Sequence, residues 1–331
     1  MDLPDDLRLA LSSELATIPQ KSVAAAVAHL SARYRSASPS AGGTFLPSAT
    51  DVFAYAAYRL PATFAAIYAT LDEVQKRQPH WQPRKLLDAG SGPGTAMWAA
   101  NEIWPDLQCC TLLERDTAMI SLGKQLAQHA RSAAVQRAEW QRIDLLSSWE
   151  STPHDLVLTS YVLGELPLLQ QEDVLNKLWS VTAGTLIIIE PGTPGGFSHI
   201  KRARRHLLSL GANILAPCPH TLLCPMAGND WCHFAQRISR TQLHRQAKRV
   251  DLSYEDEKFS YIALSRTRGL PITGRVIRHP QIRPGHIHLE LCTPDGLKNS
   301  TVTRKDRVAF RQARDIHWGN AFEPGDIELT Q

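Results

Sequence analysis

Apolar residues recur at three- and four-residue spacing through much of the first 80 positions, in stretches such as VAAAVAHLSARY and DVFAYAAYRLPATFAAIYATLDEVQKR. That period predicts helices buried along one face. A run of Ser, Gly and Pro, SASPSAGGTFLPSAT at residues 36 to 50, interrupts them as a loop. The texture changes from residue 84. RKLLDAG, QCCTLLE, HDLVLTSYVL and GTLIIIEPG are short apolar runs separated by stretches long enough to hold crossover helices. Such alternation predicts a doubly wound, mostly parallel sheet. After Glu190 the pattern stops, and Pro, His, Cys and Arg accumulate until KFSYIALSR, residues 258 to 266, reads as a strand again. The stretch RVIRHPQIRPGHIHLELCTPDGLKNSTVTR alternates with period two around Pro-Gly and Asp-Gly turns, which predicts a small antiparallel element.

The expected organisation is a helical region at 1–80, a Rossmann-like α/β core at 81–191 and a basic, Cys-rich, metal-binding insertion at 192–257. Residues 258–331 would then supply the last core strand or strands and a small β element. With 331 residues, 43% of them hydrophobic and 21% charged, the chain can bury a substantial core, which excludes a disordered tail protein and a small disulfide scaffold. No apolar run approaches the roughly 18 to 20 residues of a membrane-spanning helix, so no membrane partner is expected. The start, MDLPDDLRLA, is acidic where a signal or transit peptide is basic, and the expectation is a cytoplasmic protein.

Charge adds what hydropathy does not. The net charge of +4 combines unlike segments: residues 196–250 carry nine Lys/Arg against one acid, and residues 266–314 carry eleven against three. The rest of the chain sums to −12, so the basic charge is concentrated in the C-terminal half. This asymmetry is the footprint of a surface that meets a polyanion, although a solvated basic face has the same composition.

LLDAGSGPGTA, residues 86 to 96, places Asp88 at a strand end and Gly90, Ser91, Gly92 and Gly94 in the turn before a helix. Glycines permit positive φ and close backbone approach, while exposed amides at a helix N-terminus offer donors to a polar ligand. Nicotinamide enzymes carry G-x-G-x-x-G; this loop is G-x-G-x-G with an acid two residues before the first glycine. That variant resembles motif I of class I S-adenosylmethionine-dependent methyltransferases. The resemblance implies that the loop holds the methionine moiety, that Glu114 of TLLERD meets the ribose hydroxyls, and that Asp144 of RIDLL lies beside the adenine. After the fourth strand the chain reads SYVLGELP, so Ser160, Tyr161 and Glu165 are candidates to line the pocket. The Asn/Asp-Pro-Pro-Tyr/Phe tetrapeptide of many amino-methylating enzymes is absent there, and no catalytic residue is assigned.

Six cysteines are too few for a secreted disulfide framework. Cys109 and Cys110 are strand neighbours that point to opposite faces and fit core packing. Cys218, Cys224 and Cys232 are separated by five and then seven residues, and Cys292 follows 60 positions beyond Cys232. Four thiolates suit tetrahedral zinc or a 4Fe-4S cluster, and three cysteines in one irregular loop with a distant fourth are the more cluster-like spacing. His220 and His233 keep zinc as the alternative. Either group would tie the late β segment to the loop and contribute to folding.

The run IIIEPGTPGGF with HIKRARRHLL, followed by APCPH, CPM, DWCHF, QRISRTQLHRQAK, YEDEKFSYIAL and HWGN, resembles the small-ribosomal-subunit-associated methyltransferase-like family. That family comprises bacterial proteins and the mitochondrial small-subunit assembly factor. The resemblance covers about residues 84 to 320. It implies a class I methyltransferase fold, a 4Fe-4S cluster on Cys218, Cys224, Cys232 and Cys292, and association with small-subunit rRNA during ribosome assembly, with DNA not expected. The basic presequence of organellar members is missing, so a bacterial homologue is expected. Two activities follow as alternatives: an rRNA methyltransferase, or a non-catalytic assembly factor docking on rRNA through Lys201, Arg202, Arg204, Arg205, Arg237, Arg240, Arg245, Lys248 and Arg249. In YEDEK, residues 254 to 258, the acids are expected either to pair with the adjacent basic stretch or to form a solvated turn.

Overall fold

The computed structural model describes residues 2–16, 26, 49–239 and 254–323. Among the described residues, the helices α1 (Asp5–Ala16) and α2 (Ala49–Arg77) precede the sheet. The loop expected at 36–50 lies almost wholly outside the described residues. The core strands are β1 (Lys85–Ala89), β2 (Cys109–Glu114), β3 (Glu139–Arg142), β4 (His154–Ser160) and β5 (Thr182–Pro191). Between them run α3 (Thr95–Ile103), α4 (Thr117–Ala127), the short α5 (Ala133–Gln136) and α6 (Gln171–Ser180). Then come α7 (Pro194–Ser209), β6 (Asn213–Ala216), β7 (Phe234–Ser239) and β8 (Tyr254–Ser265).

The strands form one eight-stranded sheet in the order β3-β2-β1-β4-β5-β8-β6, with β7 also on β8. β1 to β5 are parallel, and β8 runs antiparallel to β5. Successive residues of the central strands serve opposite layers, as the period of two requires. Leu86, Ile187 and Ile189 join the layer of α2, α3 and α4, while Leu87, Leu186 and Ile188 pack under α6 and α7. All six are fully buried, each worth about 1.5–3 kcal/mol. Cys109 is exposed and Cys110 buried, so the pair divides between faces.

The segment 192–257, expected as an insertion, does not stand apart from the sheet. It contributes α7 against β5 and β8, and both β6 and β7 pair with β8. The reason is the length of β8. Its 12 residues begin at Tyr254, before the expected start at 258, and reach β5 on one side while serving β7 and β6 in succession on the other. Among its described residues, the loop from Pro217 to His233, which carries three cysteines, leaves the sheet.

The small antiparallel element is present as a second sheet. It comprises β9 (Gly274–Val276), β10 (Gln281–Arg283), β11 (His286–Thr293), β12 (Gly296–Thr303) and β13 (Ala321–Phe322). The helix α8 (Arg307–Arg314) covers one face of it, with Ala309 and Ala313 fully buried against Ile287, Leu289, Leu291 and Val302. Arg275 of β9 joins the two sheets. Its guanidinium is 1% exposed and donates from Nε to the Pro217 carbonyl at 2.9 Å, from Nη1 to the Gly319 carbonyl at 2.7 Å, and to the Glu73 carboxylate of α2.

Removing one partner of that buried pair leaves an uncompensated charge. Glu73→Leu should lower the unfolding free energy by about 3–5 kcal/mol, seen as a lower urea midpoint at unchanged slope. A loss under about 1 kcal/mol would show that the pair does not join the sheets.

Candidate functional site

At the C-terminal end of β1 the chain turns through Gly90, Gly92 and Gly94, with φ of 73°, 53° and 80°. The positive φ alone favours glycine, and space enforces it: a Cβ at Gly90 would sit 2.4 Å from Val162 Cγ2. Backbone N–H groups of Gly90 and Ser91 donate to the Leu113 carbonyl at 2.8 and 3.1 Å, which pins the loop to the end of β2. Glu114, the last residue of β2, accepts from Gly92 N–H and Asp116 N–H, both at 2.8 Å. Each carboxylate oxygen thus keeps a lone pair for a further donor. Asp88 is buried with neither carboxylate oxygen hydrogen-bonded among the described residues. Burial, and then the nearby Glu114 charge, push its pKa up to about 8.

The structure brings Asp88, the glycines, Glu114, Ser160 and Tyr161 to the same edge of the sheet. Asp144 is exposed, and its carboxylate accepts from Leu146 N–H at 2.9 Å in its own turn. Tyr161 adopts φ 60°, and its hydroxyl donates to Glu257 Oε1 at 3.0 Å. Arg59 of α2 forms a two-pronged pair with the same carboxylate at 3.2 and 3.0 Å. Burial, then the Glu257 charge, raise the Tyr161 hydroxyl well above the ordinary phenol range. Glu190, at the end of β5, accepts from Leu163 N–H at 2.8 Å and Gly164 N–H at 3.3 Å, fixing the turn after β4. Burial raises its carboxyl to about 7 against the pull of those backbone donors.

Sequence reasoning missed Arg59, Glu190 and Glu257. The acids of YEDEK pair individually rather than forming a solvated turn: Asp256 takes Arg237 at 2.8 Å, and Glu257 turns to the other face. The period-two alternation of β8 was the signal available.

Cys218, Cys224, Cys232 and Cys292 line one cavity together with Arg204, Met226 and Arg275. Cys218 follows β6, Cys232 precedes β7, and Cys292 arrives from β11 of the second sheet. Among the described residues, however, no three His, Cys, Asp or Glu are gathered as for a single metal ion. The expected quartet is thus assembled around a common space but not drawn into a tight knot. Burial first, and then the other thiols, push Cys232 well above the usual thiol range and Cys292 up to about 12. Two buried nitrogens of residues lining this cavity, Arg275 Nη2 and His220 Nδ1, make no hydrogen bond among the described residues.

Several residues expected on an RNA-facing surface are committed to the fold. Arg204 is buried, and its Nη2 donates to the His220 and Leu222 carbonyls at 3.0 and 2.7 Å, holding the cysteine loop onto α7. Its reassignment follows from burial, since a guanidinium at 6% exposure cannot reach phosphates. Lys201 donates to the Met226 carbonyl at 3.0 Å in the same loop. Arg202 bonds Ser198 and His199, Arg237 bonds Asp256, and Arg205 is exposed. Arg240, Arg245, Lys248 and Arg249 lie outside the described residues.

A parallel sheet with an antiparallel strand inserted between β5 and β6, a glycine loop after β1 and an acid ending β2 defines the class I methyltransferase fold. The family model described as "Mitochondrial small ribosomal subunit Rsm22" matches residues 49–323, and the chain belongs to that family. It is 31% identical over 287 residues to the ribosome assembly protein METTL17, mitochondrial, of Homo sapiens, covering 80% of this chain and 61% of that protein. It is 22% identical to the ribosome assembly protein RSM22, mitochondrial, of Saccharomyces cerevisiae, covering 82% and 67%. The chain therefore spans about three fifths of the human relative. Among solved structures, the magnesium protoporphyrin IX methyltransferase of Synechocystis with bound SAM aligns at 14% identity and a TM-score of 0.43, covering 71% of this chain and 91% of that one. A putative RNA methyltransferase of Pyrococcus horikoshii aligns at 13% and 0.39, covering 63% and 84%.

The raised pKa of Asp88 makes stability depend on pH. An acid whose native value lies near 8 against an ordinary 3.8 holds its proton more tightly in the folded chain. Its contribution to stability therefore falls as pH rises through that window. Asp88→Asn, neutral throughout, should melt above the wild type at pH 8.5, with the gap narrowing steadily towards pH 4.5. A gap independent of pH would mean that Asp88 is ionised in the fold at all these values.

Proposed function

We propose that this chain is a small-ribosomal-subunit assembly factor that binds S-adenosylmethionine in the glycine-loop pocket and carries a 4Fe-4S cluster on Cys218, Cys224, Cys232 and Cys292. Membership of a family described by the mitochondrial small ribosomal subunit, and the relatives named as ribosome assembly proteins, support the ribosomal partner. The six unpaired cysteines support a reducing compartment, and a bacterial cytoplasm is the one proposed. No described helix is long and apolar enough to cross a membrane.

The observation that carries the cluster is the cavity. Three thiols of one loop and a fourth from β11 share it, and around them Arg275, Arg204 and the orphaned His220 nitrogen supply cationic or polar groups. That lining suits an anionic inorganic group, because donors to cluster and thiolate sulfur tune and stabilise such centres. In the nucleoside pocket, the unpartnered Asp88 carboxylate and the spare lone pairs of Glu114 suit the ammonium and ribose hydroxyls of S-adenosylmethionine. When bound, that molecule supplies an electrophilic methyl group. Here Gly90, Ser91, Gly92 and Gly94 would shape its cradle, with Asp144, Ser160 and Tyr161 at the margins.

One observation favours a non-catalytic reading. Tyr161, which follows the fourth strand where an acceptor base would enter, has its hydroxyl held by a carboxylate already paired with Arg59. No free general base stands beside it in that network.

Anaerobically isolated protein should contain about four iron and four sulfide per chain and be brown, and Cys224→Ser should bleach it and lower its unfolding temperature. Colourless protein with one equivalent of zinc would overturn the cluster. Incubation of immature small subunits with labelled S-adenosylmethionine separates the two activities. Incorporation above a Gly92→Asp control establishes an enzyme; equal counts, with co-sedimentation retained, establish the assembly factor.

A further inference from the structure

Among the described residues, an exposed basic surface lies away from α7, on the helix that covers the small second sheet. In α8, Arg307, Arg311 and Arg314 stand at i, i+4 and i+7, which places them within about 60° of one another around the helix. The opposite side is Ala309 and Ala313, fully buried on β11 and β12. The helix therefore has a fixed orientation and presents its arginines outward. Arg304 and Lys305, in the turn before it, are exposed as well.

The carboxylates nearby do not neutralise this surface. Asp306 caps the helix by accepting from Ala309 N–H at 2.9 Å. Asp315 lies 3.6 Å from Arg314 Nε, with both side chains more than 60% exposed, a pairing worth little in water. Arg304, Lys305, Arg307 and Arg311 have no ion pair among the described residues. By contrast, Arg204, Arg237, Arg275 and Arg278 are each held by carbonyls or carboxylates within the fold.

We propose that α8 and the turn before it, through Arg304, Lys305, Arg307, Arg311 and Arg314, form the phosphate-contacting surface by which the chain docks on small-subunit rRNA. This inference rests on the ribosomal reading above and names the contact surface for it. Guanidinium groups give two parallel donors to a phosphate, and their axial steps along α8, about 6 and 4.5 Å, spread three forks along a backbone ridge. Contacts of this kind position a protein without reading sequence. The surface adds to binding in proportion to the counterions it releases.

The test uses the full chain and bare small-subunit rRNA transcribed in vitro, with binding measured from 50 to 200 mM salt. Arg307→Gln, Arg311→Gln and Arg314→Gln are combined in one variant, which keeps the buried alanine face and good helix formers. A second variant, Lys124→Gln, Arg137→Gln and Arg142→Gln, removes the same charge from the core domain. The α8 variant should melt as the wild type does, bind about 10- to 100-fold more weakly, and show a salt slope smaller by about two to three. The core variant should bind nearly as the wild type does. Wild-type affinity in the α8 variant, or equal loss in both, would overturn the proposal. If sheared duplex DNA or phosphatidylglycerol vesicles compete as well as rRNA, the surface is a general anion site and the RNA assignment falls. Failure of the wild type to bind any rRNA would remove the ribosomal reading first, and this one with it.

Discussion

A guanidinium sealed from water has to find partners, and the way Arg275 does so organises the molecule. From β9, between β11 and β13 of the second sheet, it reaches the cysteine loop at Pro217, the last described turn at Gly319 and the acid Glu73 on α2. Three segments far apart in the chain are thereby held to one point. The cost of burying the ion is offset only while all three stay in place, so the hub favours one relative placement of the two sheets. The same side chain walls the cavity where the four thiols meet. A group that joins the sheets thus also places positive charge on the wall of the cavity those sulfurs line.

A second buried network performs a similar task near the glycine loop. Glu257 emerges from β8 and takes Arg59 from the N-terminal helix and Tyr161 from the turn after β4. Because β8 also receives β5, β6 and β7, a displacement of this strand would be felt both at the pocket and along the base of the cysteine loop. Ser260 of β8 makes that connection directly, donating to the Cys232 carbonyl at 2.8 Å. The two candidate sites are thus mechanically adjacent although they share no residue.

The distribution of arginine follows from the same economy of buried charge. Arginines near the cysteine loop satisfy carbonyl oxygens that the irregular backbone leaves open, as Arg204 does for His220 and Leu222. Those on α8 have a regular helix beneath them whose carbonyls are already bonded, and they face solvent. Basic composition alone does not separate these cases, yet one kind holds a loop and the other is available to a partner.

Much of this was legible in the chain as written. The apolar runs and their spacing marked β1, β2, β4 and β5, because strands buried on both faces leave few alternatives to continuous hydrophobicity. The loop from Asp88 to Gly94 was readable because positive φ and close approach admit glycine almost alone. The Pro-Gly and Asp-Gly turns announced the second sheet. Tertiary structure decided the rest, for reasons of long-range pairing. Residues 192–257 read as an insertion because β6 and β7 are short and acquire their partner only when β8, later in the chain, lies beside them. Whether Arg204 meets solvent or a carbonyl, and whether Glu257 meets water or Tyr161, depends on burial. Burial is set by segments 16 to 198 residues away, and no local pattern of residue types carries that information.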